Sequence, residues 1–203
     1  MRKRRYVMLM LVMLLLIFTI FSAADYGSGN YVSSAPVKPT TGLKFYVDYS
    51  AVSVYGSSPF ITAAFDWNGN YNASVSQVAV YPASPPTGFF IIGAGAMSYN
   101  HPGETFFYTQ SGDLIDSSYA TNSTSIYRCS IRINSNPSAF DNPNVPSQAY
   151  LGKTIRHEIG HVFLLNHPNL QYGSVMQSGA PTGYVSATVS TIDRQNLTAK
   201  WGQ

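Results

Sequence analysis

The segment Arg156–His167, RHEIGHVFLLNH, constrains this chain more tightly than any other stretch of it. It holds three of the four histidines and one of the two glutamates. His157 and His161 are four apart, so on a helix they project from one side, about 40° apart and one turn above the other. Both imidazoles can then reach a single ion. Glu158 is turned by about 100° from His157 and about 60° from His161, an offset that suits reaching a water on the ion better than binding the ion. The spacing therefore predicts a helix through His161. It also predicts a zinc site, because a tetrahedral zinc readily accepts imidazole.

A third protein ligand would leave one position open for water. The only other glutamate, Glu104, lies upstream, and the only distant downstream aspartate of interest, Asp193, falls in the final helical stretch. His167, six residues after His161, is the remaining candidate. It reaches the ion only if the helix ends near Leu164 or Leu165 and the chain turns sharply. Asn166 and Pro168 are both compatible with such a break. With so few histidines and glutamates, H-E-x-x-H arises by chance on the order of once per thousand such sequences.

The rest of the chain supplies the setting. It has 203 residues, 45% of them apolar, enough for one domain with a real core. Four of its basic residues, Arg2, Lys3, Arg4 and Arg5, stand together at the N-terminus, and without them the chain is close to neutral. Nucleic-acid binding is not expected from such a charge distribution. The basic cluster precedes an uncharged run, Tyr6 to Phe21, and then the small residues Ser22, Ala23 and Ala24. This is the order of a secretory signal peptide, or of an N-terminal membrane anchor if it is not cut, and it puts the remainder outside the cytoplasm. Residues 1–24 are read as that segment, 25–42 as a flexible Gly, Ser and Pro-rich linker, and 43–203 as a single domain. Cys129 is the only cysteine, so no intramolecular disulfide forms.

Within the domain, LKFYVDYSAV (Leu43–Val52) is rich in β-branched and aromatic residues and is read as a strand. SSPFITAAFDWN (Ser57–Asn68) is read as a helix capped by Ser58 with Pro59 at its first position. Val75–Tyr81, Gly88–Met97 and Glu104–Gln110 follow as strands. In Ser125–Asn134, Tyr127, Cys129, Ile131 and Ile133 alternate with polar residues, so Cys129 is expected on a buried strand face. A long helix capped by Ser147 follows, with Leu151, Ile155, Ile159, Val162 and Phe163 as its buried stripe. A loop and a short terminal helix containing Asp193 close the chain. The pattern is that of an α+β (α/β-like) domain.

HEIGHVFLLNH resembles the zinc signature of the metzincin metallopeptidases, H-E-x-x-H-x-x-G-x-x-H, and GSVMQSG (Gly173–Gly179) is similar to their Met-turn. The flanking AAFDWN and DRQNLTAKWG are more weakly similar to the first and last helices of matrixin-type domains. The resemblance implies a twisted, mixed five-stranded sheet, mainly parallel, above a cleft with zinc at its floor. It also implies two main helices and a small C-terminal subdomain ending in a helix. It makes Met176 the methionine beneath the metal. Leu164 stands where the family has a glycine, and a leucine at positive φ costs roughly 1 kcal/mol. Either the turn moves to Asn166, or His167 is a weaker ligand. Ser178 replaces the tyrosine that some metzincins place two residues after the methionine, which points to the simple three-histidine type. No cysteine-bearing propeptide is present, so no latency of that kind is expected. Matrixins commonly carry structural calcium and a second zinc. No motif here matches those sites, calcium is unsupported, and Asp113 and Asp116 are read as loop residues.

The expectation is thus an exported, monomeric zinc metalloendopeptidase. His157, His161 and His167 hold the ion, and Glu158 is general base toward a water on it. A protein or peptide substrate would lie along Glu104–Gln110, and Pro181 and Tyr184 are candidate pocket walls. The alternative from another class is a surface binding or adhesion module with a structural zinc, suggested by the Tyr, Ser and Asn-rich first half. Structural zinc usually has four protein ligands and needs no counterpart of Glu158.

Overall fold

Short stretches rich in β-branched and aromatic residues build the sheet that carries the site. In the computed structural model, which describes residues 30–31, 39–69, 73–85, 87–98, 100–115, 125–168, 173–178 and 188–202, eight strands and four α-helices are present. The strands are β1 (Asn30–Tyr31), β2 (Leu43–Val47), β3 (Val75–Val80), β4 (Phe90–Gly95), β5 (Gly103–Tyr108), β6 (Leu114–Ile115), β7 (Ser125–Ile126) and β8 (Arg128–Asn134). The helices are α1 (Tyr49–Tyr55), α2 (Ser58–Phe65), α3 (Ser147–Val162) and α4 (Thr191–Trp201).

Six strands form one mixed sheet in the order β3-β2-β4-β8-β5-β6. β3, β2, β4 and β8 run parallel, and β5 is antiparallel to both β8 and β6. The protein is therefore α+β. The strand count exceeds the expected five because Leu114–Ile115, in a stretch read as loop, pairs with the end of β5. In β8, Cys129, Ile131 and Ile133 are buried and Arg128 and Arg132 are exposed, as the alternation requires. They join Phe45, Val47, Phe90, Ile92 and Phe107 in the core.

Leu43–Val52 is not one strand. β2 stops at Val47, and the Asp48 carboxylate accepts from the backbone N–H and the hydroxyl of Ser50, capping α1. This local cap overrides the β-rich composition of the segment. The N-caps of α2 and α3 also lie one residue earlier than expected, at Ser57 and Pro146; neither makes a side-chain cap bond. The Ser147 hydroxyl donates to Asp141 instead. In the segment read as linker, β1 pairs in parallel with β7, and Pro39 is buried in a 3-10 turn at Pro39–Thr41. The segment 1–24, together with Asp116, Pro181 and Tyr184, lies outside the described residues.

The end of α2 and the terminal helix α4 fix α3 in place. Arg156 forms an ion pair with Asp66 at the end of α2. Trp67 donates its indole N–H to the Arg156 carbonyl at 3.0 Å, and its ring packs against Phe163 at 5.4 Å between centroids. From α4, Arg194 donates to the carbonyls of Asp66 and Asn68, and Trp201 donates to that of Phe163. Leu151, Ile155, Ile159, Val162 and Phe163 are buried, as the stripe predicts.

Candidate metal centre

The site grows out of how α3 ends. Its last turn closes as a Schellman motif: Leu164 N–H donates to the His161 carbonyl, and Leu165 N–H donates to that of Gly160. Leu164 is the left-handed residue of this motif, at φ 63°, the one non-glycine residue with positive φ among the described residues. The turn therefore does not shift to Asn166. Leu164 tolerates it because its side chain is fully buried, and burying a leucine is worth about 1.5–3 kcal/mol against roughly 1 kcal/mol of backbone cost. The reversed chain then returns His167 toward the helix face that bears His157 and His161.

The three imidazoles converge. His157 Nε2 lies 3.0 Å from both His161 Nε2 and His167 Nε2, and one ligand atom from each ring lies within 4.8 Å of the others. On His157 and His161 the opposite ring nitrogens are tied to backbone. His157 Nδ1 donates to the Val175 carbonyl at 2.9 Å, and His161 Nδ1 donates to the Leu165 carbonyl at 2.7 Å. Those bonds fix the tautomer and leave the Nε2 lone pairs facing one point. Lone pairs so close together repel unless a cation or proton lies between them. Tetrahedral zinc would hold such nitrogens roughly 3.3 Å apart, so the donor set fits the ion with a small adjustment. Burial lowers the pKa of His157 well below the ordinary imidazole value and takes His161 down to about 3. Desolvation and the charge of Lys153 lower that of His167. Each of these shifts favours the neutral ring, the form that ligates.

Met176 is buried against α3, and its seat explains Gly160. A Cβ on Gly160 would stand 2.1 Å from Met176 Sδ and 2.9 Å from Trp67 Cζ2. Asp193, fully buried in the first turn of α4, accepts from the Ser174 hydroxyl and from the Val175 N–H. The carbonyl of the same Val175 holds His157. A hydrogen-bonded path thus runs from the terminal helix to a ring of the site. Asp193 is an organiser of the centre, not a ligand, and its sequence signal was the capping pattern with Ser190.

Glu158 is 5% exposed and reaches strand β5, where the Thr105 hydroxyl donates to Glu158 Oε2 at 2.8 Å. Gly103 leaves room for it, since a Cβ there would lie 3.0 Å from Glu158 Cγ. Burial pushes the Glu158 carboxyl up to about 8; the Thr105 bond pulls it down and the charge of Glu104 raises it further. A dication at the imidazoles would act with Thr105 to lower it. Glu158 and all three histidines line a cavity of about 620 Å³, whose walls include Gly103 and Thr105 of β5 and Lys153 of α3. Sequence reasoning missed Thr105 and Lys153; Lys153 was visible as the residue one helical turn before His157.

No protein-family model matches this chain, and no curated protein matches it. Among solved structures the chain is similar to one titled "GM1 bound form of the ECX AB5 holotoxin", at 17% identity over 89% of this chain and 78% of that chain. The TM-score of that pair is 0.43, too low to bear on fold family or function.

Proposed function

We propose that this protein is an exported zinc-dependent metalloendopeptidase of metzincin type. The observation that carries the reading is the convergence of three imidazole nitrogens beside a buried carboxylate, all on the wall of one cavity. His157, His161 and His167 would hold the ion. Zinc bound there supplies Lewis acidity, acidifying water and polarising a carbonyl. Glu158 takes the proton of the attacking water and returns it to the leaving amine as the peptide bond breaks. Thr105 orients that carboxylate while it does so.

The surroundings support the same reading. The sheet is mainly parallel, and its antiparallel strand β5 lines the cavity, which supports the reading. β6 pairs only with Phe107 and Tyr108, so among the described residues the Gly103–Phe106 stretch has no strand on that side. Gly103, Glu104 and Thr105 line the cavity, where an extended substrate backbone could add to the sheet. Among the described residues the ligand cluster has three members, which favours a catalytic over a four-ligand structural zinc and so disfavours the adhesion reading. The substrate is protein or peptide, and the N-terminal segment points to action outside the cytoplasm.

The test uses Glu158→Gln. The variant should retain one zinc by elemental analysis and lose cleavage of a denatured protein, while His167→Ala should lose zinc to a chelator sooner than the wild type. A zinc-loaded wild type that cleaves nothing in a broad peptide library overturns the proposal.

A further inference from the structure

Lys153 has no part in the chemistry above, yet it stands at the site. It lies one turn before His157 on the same face of α3, is 5% exposed, and lines the cavity with His157, His167 and Gln177. Its ammonium donates to the Gln177 carbonyl at 3.0 Å, so the charge is held between α3 and the segment that follows Met176. It is close enough to His157 and His167 for its field to lower the pKa of both rings. Burial lowers its own. A cation in this position opposes a metal ion and is itself costly to desolvate. An anion entering the cavity offsets both costs. Of the other wall carboxylates, Asp141 accepts from Ser147, and Glu104 is the register partner of Arg132 on β8.

The geometry points to an anion subsite in which Lys153 receives a carboxylate of the substrate beside the scissile bond. This rests on the peptidase reading. The carboxylate is either an acidic side chain flanking that bond or the free end of a short peptide. In both cases the ammonium gains an ion pair, where an amide would offer only a neutral acceptor.

The experiment measures binding, with cleavage read separately. Zinc-loaded full-length Glu158→Gln protein is titrated calorimetrically with peptides carrying Glu, Gln or Lys at each flanking position, their C-termini free or amidated. Glu peptides should bind about 10-fold or more tighter than their Gln counterparts. Lys153→Met on the same background should erase the difference, and Lys153→Glu should transfer it to Lys peptides. A preference for the free over the amidated terminus, with none for Glu, identifies the chain end as the source. Equal binding of Glu and Gln peptides and of free and amidated termini, or a preference that survives Lys153→Met, overturns the subsite. If Lys153→Met does not fold, the comparison of peptides on the Lys153-containing protein decides alone. Cleavage by the wild type with no carboxylate preference removes the subsite and leaves the peptidase. A Lys153-dependent preference in binding with no cleavage by the wild type does the reverse.

Discussion

Glu158→Gln should stabilise the metal-free protein at alkaline pH and leave it unchanged at acid pH. The side chain is nearly isosteric, so it fits against Gly103 as the native one does and can still accept from Thr105. What it removes is a charge. Burial lifts the Glu158 carboxyl from 4.5 to about 8, which makes the folded state bind a proton that the unfolded state has already released. For a raised carboxyl the sign is adverse: stability falls as pH rises through 4.5 and the loss is complete above about 8. The full span corresponds to about 5 kcal/mol, a large part of the 5–15 kcal/mol typical of a domain.

The assay is thermal or urea unfolding of chelator-treated wild type and variant from pH 4 to pH 9. The stability difference should be near zero at the acid end and reach several kcal/mol at the alkaline end, or a rise in Tm of roughly 10 °C or more. Adding zinc should shrink the gap, because the ion stabilises the carboxylate it faces. A difference that stays flat within about 0.5 kcal/mol across the range would mean that Glu158 is already ionised and solvated in the folded protein, and the burial argument would be refuted.

Three further outcomes follow from the packing. Gly160→Ala drives a Cβ into Met176 and Trp67, so it should cost at least 1–3 kcal/mol in a melting experiment and weaken metal retention. At Leu164 the order of stability should be Leu, then Gly, then Ala: both substitutions lose the buried side chain, about 2–5 kcal/mol, but alanine keeps the left-handed strain that glycine relieves. Urea midpoints of the pair test this, and Ala above Gly would contradict it. Asp193→Asn takes charge and acceptor capacity from the bonds to Ser174, Val175 and Ser190, so zinc affinity measured by chelator competition should fall about 10–100-fold although Asp193 touches no ligand atom.

The residues that converge at the candidate centre were legible because their side-chain chemistry singles them out. Nothing but imidazole and carboxylate supplies those donors, and a four-residue interval allows only one relative orientation on a helix. Cys129 and the α3 stripe were legible for a related reason, since burial follows period. Where composition was used in place of a specific interaction the reading failed: α1 looked like strand until Asp48 capped it. The backbone partners of the site could not be read at all. Val175 and Leu165 serve through their carbonyls, which every residue has, and only the fold decides which carbonyl faces a ring.

Leu164 shows how such a limit turns into a physical result. Taken alone, a leucine at a glycine position signals either a displaced turn or a weaker ligand, because the local term is the only one a sequence displays. In the folded chain the same side chain is fully buried, and the tertiary gain exceeds the local cost. The glycine of the motif is therefore one solution to a geometric demand. What the centre requires is a Schellman turn that reverses the chain and presents the Leu165 carbonyl to His161. Any residue whose burial outweighs the cost of its left-handed backbone can supply that turn.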